Sequence, residues 1–268
     1  MNYWTQSKDN IWVAAHRGWC AKYPENTMEA FRAALELGVD QIETDVRMTK
    51  DGELVCMHDA CVCRTTNGGG YVRDLTLEQI KELDAGIRKG PEFAGCKVPT
   101  FIEFMDLVKD HPTITIDIEL KVYPVPGSEY EMEAFDICDR VLKIVDDYGF
   151  RDRCVINTFS GRLQEYLDEK YHGMYRQHVY YPKRNLGTLI TRDPYEYAYC
   201  CCMFGENDYM ATKEEFEAMR ERGVRTWAGA GVKDEASVLR AIEAGAELIT
   251  CNNCDEILDL LRKHGKRK

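Results

Sequence analysis

Short β-rich runs alternate with amphipathic helical patterns along almost the whole chain, and this alternation constrains the fold more than any other feature. Trp12-Val13-Ala14-Ala15 is a brief apolar run that ends in His16-Arg17-Gly18. Helical periodicity follows over 27–37, with Met28, Phe31, Ala34 and Leu35 on one face and Gly38 as a stop. Residues 41–48 alternate as a strand, and the turn Lys50-Asp51-Gly52 leads into a short apolar run at 54–57. Further strands are predicted over 113–120, 154–159, 174–180, 199–204, 224–228 and 247–251, and helices over 129–148, 161–170, 213–222, 234–244 and 255–263. With 54–57 taken as an addition to the second strand, eight β–α units result, which at this length matches a (β/α)8 TIM barrel. A doubly wound open sheet has the same alternation.

Residues 60–99 break the rhythm. They hold Asn67-Gly68-Gly69-Gly70, Pro91, Pro99 and one helical stretch, where Thr76 and Gln79 have the spacing of a capping box. The segment is predicted to be a small inserted subdomain between strand 2 and helix 2, capping the C-terminal mouth of one domain that comprises residues 1–268. The glycines are followed by neither Gly-Lys-Ser/Thr nor a G-x-G-x-x-G pattern, so they read as a turn.

Charge narrows the partners. Formal charge is 35 − 46 = −11, which argues against a general nucleic-acid binder and against a protein held on anionic membranes by basic charge. No apolar run approaches the roughly 18 residues that span a bilayer, so no stable membrane insertion is expected. Met1 to Asn10 lack the apolar stretch of a secretory leader, which points to the cytoplasm. The 12 cysteines then read as reduced structural thiols. Cys251-x-x-Cys254 has the spacing of half a zinc site or a redox pair, but no second C-x-x-C accompanies it.

Ionisable residues crowd the predicted strand ends of the first half. His16-Arg17 closes the first strand, Glu43 and Asp45 share one face of the second, His58-Asp59 follows the run at 54–57, and Glu119 and Lys121 share a face at the end of the third. Alone, each has a plain structural reading: a hydrogen-bonded histidine, a solvated carboxylate pair, an exposed ion pair. Together, inside a barrel covered by helices, buried acids need a cation or hydrogen bonds to offset desolvation. Glu43, Asp45 and Glu119 form a hard oxygen set suited to one divalent cation, Mg2+ or Ca2+. Arg17 and Lys121 supply positive charge for an anionic substrate, and His16 and His58 supply an acid and a base. That inventory fits metal-assisted phosphoryl chemistry.

These residues also carry a resemblance. Ala14-Ala15-His16-Arg17-Gly18, Pro24-Glu25-Asn26-Thr27, Ile42-Glu43-Thr44-Asp45, Thr49-Lys50-Asp51-Gly52 and His58-Asp59 resemble the glycerophosphodiester phosphodiesterase family. The likeness continues through Arg64-Thr65-Thr66-Asn67-Gly68, Leu83-Asp84-Ala85-Gly86, Val98-Pro99-Thr100 and Ile118-Glu119-Leu120-Lys121, and thereafter holds only in outline. Cys251 stands where that family often has aspartate, which leaves the last β–α loop without an assigned role. The resemblance implies a TIM barrel in which Glu43, Asp45 and Glu119 bind one cation, Arg17 and Lys121 hold phosphate, and His16 and His58 act as acid and base. It further implies that Trp227 packs on the glycerol moiety of a small-molecule glycerophosphodiester, although a core tryptophan is an equal reading of that residue. The implied reaction passes through a cyclic phosphate to glycerol 3-phosphate and an alcohol.

Two other functions share part of this inventory. A phospholipase D-like enzyme acting on lysolipids or sphingomyelin uses the same barrel and the same His, Glu-x-Asp and His pattern. A non-catalytic phosphodiester-binding barrel would have no need of all these polar groups. Head-group preference and oligomeric state leave no trace in the sequence.

Overall fold

The computed structural model describes Trp4 and residues 9–268; apart from Trp4 and residues 9–10, the segment read above for a leader lies outside the described residues. Its strands in chain order are β1 (Trp12–Ala15), β2 (Gln41–Met48), β3 (Leu54–Cys56), β4 (Thr115–Leu120), β5 (Cys154–Asn157), β6 (Arg176–Tyr181), β7 (Cys200–Met203), β8 (Arg225–Ala228) and β9 (Leu248–Cys251). All but β3 pair in parallel, and β1 bonds to both β2 and β9, so eight strands close into a barrel. β3 runs antiparallel along the end of β2, with Val46 opposite Cys56. The barrel predicted from alternation is therefore the fold of this chain.

The helices are α1 (Met28–Leu37), α2 (Leu77–Glu82), α3 (Phe101–Lys109), α4 (Glu129–Asp147), α5 (Gly161–Tyr171), α6 (Lys213–Glu221), α7 (Glu235–Ala244) and α8 (Cys254–Lys263). Local chemistry sets their ends. Thr27 caps α1 by accepting from Ala30 N, and Gly38 closes it at φ 84°, a left-handed conformation that suits glycine. The predicted capping box at Thr76 and Gln79 forms, and equivalent boxes start α3 at Thr100 and α6 at Thr212. α3 stands where helix 2 is expected after the insertion, a helix given no range from the sequence, and Phe101, Phe104, Met105 and Val108 line its buried face at helical spacing. The link from β6 to β7 departs from the expected unit. Among the described residues it holds only short 3-10 turns, at Lys183–Leu186 and Pro194–Glu196.

Strand periodicity of two sorts the side chains into two cores. Outward-facing Ile42, Val46, Ile116, Ile118 and Ile156 meet the helices through Phe31, Phe104 and Val141, all at most 1 % exposed. Inward-facing Ala14, Val155, Cys200, Trp227 and Leu248 fill the lower barrel, with Trp4 beneath them. The Trp4 and Trp227 rings stack at 6.3 Å between centroids. Above this apolar floor the inward positions turn polar.

Residues 60–99 pack a small core of their own from Val62, Val72, Ile80, Ala85 and Val98 against Val55 and Met57. The segment is tied to the rim of the barrel, since Lys89 Nζ donates to the carbonyls of Cys20 and Ala21 at 2.7 and 2.8 Å. Ten cysteines are free, eight of them buried: Cys56, Cys138, Cys154, Cys200, Cys201, Cys202, Cys251 and Cys254. Cys61 and Cys63 form a disulfide, which departs from the expectation that every thiol is reduced.

Candidate active site

The i, i+2 spacing on β2 points Glu43 and Asp45 into the barrel, and Asp45 lies in register with Glu119 on β4. One carboxylate oxygen from each of the three residues lies within 4.8 Å of the others. Burial pushes the Glu43 carboxyl well up, with Asp45 and Glu119 adding to the effect. Burial and Asp45 likewise push Glu119 up, against the partial opposition of Lys121. Glu43 and Glu119 are thus held where their own charge is disfavoured. Glu43 Oε1 and Asp45 Oδ1 have no hydrogen-bond partner among the described residues, and Glu119 Oε1 meets only the Lys121 ammonium. Orphaned hard oxygens converging on one point fit an oxygen-preferring divalent cation.

The remaining oxygens of this cluster are fixed from outside. Glu43 Oε2 accepts from the Arg17 backbone N–H at 2.8 Å, and Asp45 Oδ2 accepts from Asn26 Nδ2 at 2.7 Å. Both donors come from non-glycine residues held at positive φ, Arg17 at 57° and Asn26 at 53°. Strain of this kind persists where surrounding contacts over-determine it. Gly18 must be small as well, because a Cβ there would lie 2.7 Å from the Ala30 backbone. The guanidinium of Arg17 faces Asp45 at 3.3 Å and Glu25 at 2.9 Å. Lys121 Nζ lies 3.4 Å from Asp45.

The two histidines have different partners. His16 Nδ1 donates to Asn252 Oδ1 at 2.7 Å, and its Nε2 stands 4.0 Å from Glu43. Burial and then Arg17 bring the His16 imidazole down to about 4. His58 Nδ1 donates to Asp59 Oδ1 at 2.6 Å, and Asp59 is gripped in turn by Arg64 from the inserted segment. Arg64 also bonds both oxygens of Glu25, at 2.8 Å each. His58 is moved downward by burial, with Asp45 and Asp59 pulling the other way.

His16, Arg17, Glu43, His58, Glu119 and Lys121 border one cavity of about 250 Å3. The opposite wall is aromatic: Phe159 stacks on Tyr180 at 3.7 Å, and Tyr180 on Phe204 at 5.8 Å. Gly229 leaves room for that wall, since a Cβ there would come within 2.7 Å of Phe204. Trp227 stands elsewhere. It is 1 % exposed, belongs to the barrel floor, and abuts the ring of His178 edge-on at 4.8 Å. The structure thus gathers seven of the eight residues singled out from the sequence, with Asp45 behind the lining, and leaves Trp227 below them. Sequence reasoning gave no role to Asn26, Asp59 or Asn252, each of which holds a group in this site by hydrogen bond.

Fold and site together define a class: a (β/α)8 barrel whose mouth combines a buried carboxylate cluster, two histidines and two cations. The sequence profile described as the glycerophosphoryl diester phosphodiesterase family matches residues 16–256. A glycerophosphodiester phosphodiesterase of Caldanaerobacter subterraneus is 45 % identical over 149 residues, covering 55 % of this chain and 58 % of the relative. Among solved structures, a glycerophosphodiester phosphodiesterase from Thermotoga maritima is 25 % identical, with 94 % of this chain and 98 % of that one aligned at a TM-score of 0.70. An Oleispira antarctica phosphodiesterase in complex with the product sn-glycerol-3-phosphate shares the fold at a TM-score of 0.77 and 20 % identity, over 94 % and 97 % of the two chains. The chain belongs to the glycerophosphoryl diester phosphodiesterase family. In sequence it matches somewhat more than half the length of the Caldanaerobacter relative, 58 %.

Proposed function

We propose that this chain hydrolyses glycerophosphodiesters to glycerol 3-phosphate and an alcohol, as a single catalytic domain with residues 60–99 as its cap. The observation that carries the reading is the meeting of three carboxylates, two histidines, Arg17 and Lys121 at one barrel mouth. Glu43, Asp45 and Glu119 would hold one divalent cation, Mg2+ or Ca2+, which when bound supplies positive charge against a phosphoryl oxygen. Arg17 and Lys121 bind the remaining phosphate charge, so an anionic diester is held despite the acidic protein around it.

The hydrogen-bond partners divide the histidine roles. Asn252 is neutral and fixes the Nδ1–H tautomer of His16, leaving Nε2 free to take the proton of the glycerol hydroxyl next to the phosphate. That oxygen forms a bond to phosphorus as the bond to the alcohol breaks. Asp59 is anionic and favours the imidazolium of His58, which suits His58 to protonate the departing alkoxide. Water then opens the cyclic phosphate with the roles reversed. Trp227 bears on the glycerol side only through the ring of His178.

No helix among the described residues is long and apolar enough to cross a membrane. We place the protein in the cytoplasm, a reading supported by ten free cysteines, although Cys61 and Cys63 are paired. A panel of glycerophosphodiesters assayed with Mg2+, with Ca2+ and with a chelator tests the activity. Release of glycerol 3-phosphate that stops on chelation is expected. Chelator-insensitive turnover would overturn the metal assignment, and a cyclic lysolipid product would favour the phospholipase D-like reading.

A further inference from the structure

Beneath the carboxylate cluster lies a second group of buried polar side chains that the reaction above does not use. Asp117 on β4, Asn157 on β5, and His178 and Tyr180 on β6 are each at most 5 % exposed, and all border the same cavity. Their hydrogen bonds leave little open. Asn157 Nδ2 donates to Asp117 Oδ1 at 2.7 Å, and His178 Nδ1 is bonded to Asp117 Oδ2 at 2.8 Å. Tyr180 donates its hydroxyl to Asn157 Oδ1 at 3.0 Å. One atom stands out. His178 Nε2 is buried and has no hydrogen-bond partner among the described residues, and it is alone in this group in that respect.

A carboxylate only accepts, so Asp117 holds a proton on Nδ1, and the neutral form of the ring presents a lone pair at Nε2. The ring is fixed between Trp227, at 4.8 Å, and Tyr180, at 5.1 Å between centroids. An unpaired acceptor in a buried wall costs free energy that a donor from a ligand recovers. The complementary ligand atom is a hydroxyl. An ionised phosphate oxygen would oppose its own lone pairs to that of Nε2, an ester oxygen has no proton to give, and a quaternary ammonium has no N–H. Of the parts of glycerophosphocholine only the glycerol end qualifies, and glycerol is the part that every glycerophosphodiester shares.

We propose that His178, with its tautomer set by Asp117, is a specificity-determining residue that accepts a hydrogen bond from the glycerol hydroxyl distal to the phosphate. The proposal rests on the glycerophosphodiesterase reading above. It assigns the deep, Trp227-side end of the cavity to the polyol and leaves the alcohol group toward the mouth.

The test compares glycerophosphocholine with its analogue in which the distal hydroxyl is replaced by hydrogen, which keeps the hydroxyl that attacks phosphorus. The wild-type enzyme is expected to prefer the hydroxyl substrate about tenfold or more in kcat/KM. His178→Asn retains a donor toward Asp117 but has no atom at the Nε2 position, and it should erase that preference. His178→Gln, whose amide reaches the Nε2 position, should restore part of it. A purely structural histidine would lower both substrates in parallel and leave the ratio unchanged, which overturns the proposal. If His178→Asn does not fold, the wild-type ratio decides, and a ratio near one overturns it. If the wild-type enzyme cleaves neither diester, the activity reading fails on its own. Thermal protection by glycerol 3-phosphate against protection by its deoxy analogue then judges His178: stronger protection by the hydroxyl compound supports the proposal, and equal protection overturns it.

Discussion

The two walls of the cavity are built by different halves of the chain and on different principles. β1, β2, β4 and the loops after β1, β3 and β4 supply His16, Arg17, Glu43, His58, Glu119 and Lys121, with Arg17 and Lys121 paired to carboxylates. β6, β7 and the loops that follow β5, β7 and β8 supply Phe159, Tyr180, Phe204 and Gly229, held by stacking and close packing. A charged wall gains by concentrating field in a low-dielectric space, whereas an aromatic wall excludes water and shapes the space. On the proposed reading chemistry belongs to one side and fit to the other, and substitutions on the two sides should fail in different ways.

The largest effect is expected at the carboxylates. Glu43→Gln should lower kcat/KM by on the order of 10³ and weaken metal binding while leaving the melting temperature unchanged or raised, because a buried charge that repels its neighbours is removed. Calorimetric metal titration beside a melting curve checks this, and a destabilised variant with normal metal affinity would contradict it. His58→Ala or His16→Ala should lower kcat by about 10²–10⁴ with KM little altered and circular dichroism unchanged. Near-full turnover by the folded double variant would remove both from the mechanism. On the facing wall, Phe204→Ala should act chiefly on KM, raising it several-fold, with kcat within about threefold; a kcat loss as large as that of His58→Ala would erase the distinction between the walls.

The smallest effect concerns acid stability at the edge of the charged wall. Burial raises the Glu25 carboxyl, but Arg64 and Arg17 outweigh it and bring it down to about 2 from an ordinary 4.5. A carboxyl lowered by folding stabilises the protein fully above its ordinary range and loses that contribution as pH falls from about 4.5 toward 2. The difference is at most on the order of 3 kcal/mol. Urea melts across that interval should show a shallower acid decline in Glu25→Gln than in the unmodified protein.

The charged wall was also the wall legible in the sequence. Two carboxylates at a spacing of two must share one strand face, and a histidine directly after a strand must lie at a barrel end, so pattern alone gathers these groups. The aromatic wall gives no such signal, because Phe159, Tyr180 and Phe204 are indistinguishable from core residues until the barrel closes. The same holds for the groups that orient the site. Asn252 reaches His16 across 236 positions of sequence, and nothing local to either residue announces the contact. Asp117 had a readable clue, since it stands two before Glu119 and so faces inward with it. α3 had one too, in Thr100 and Glu103 at capping-box spacing. The missing helix between β6 and β7 is explained locally, where Pro182, Gly187 and Pro194 interrupt any long helical run. Trp227 had two readings from sequence, and its stacking on Trp4 puts it in the floor.

That floor has a kinetic consequence. Among the described residues, Trp4 and Trp227 pack the lower barrel at 4 % and 1 % exposure, so the cavity is reached from the mouth and not through the floor. On the proposed reading, a diester seated with its glycerol end inward would be released from the outside in, the alcohol first and the phosphorylated polyol once the doorway is clear. Traffic would then be a queue, with the molecule at its back competing directly with the next substrate for the same place.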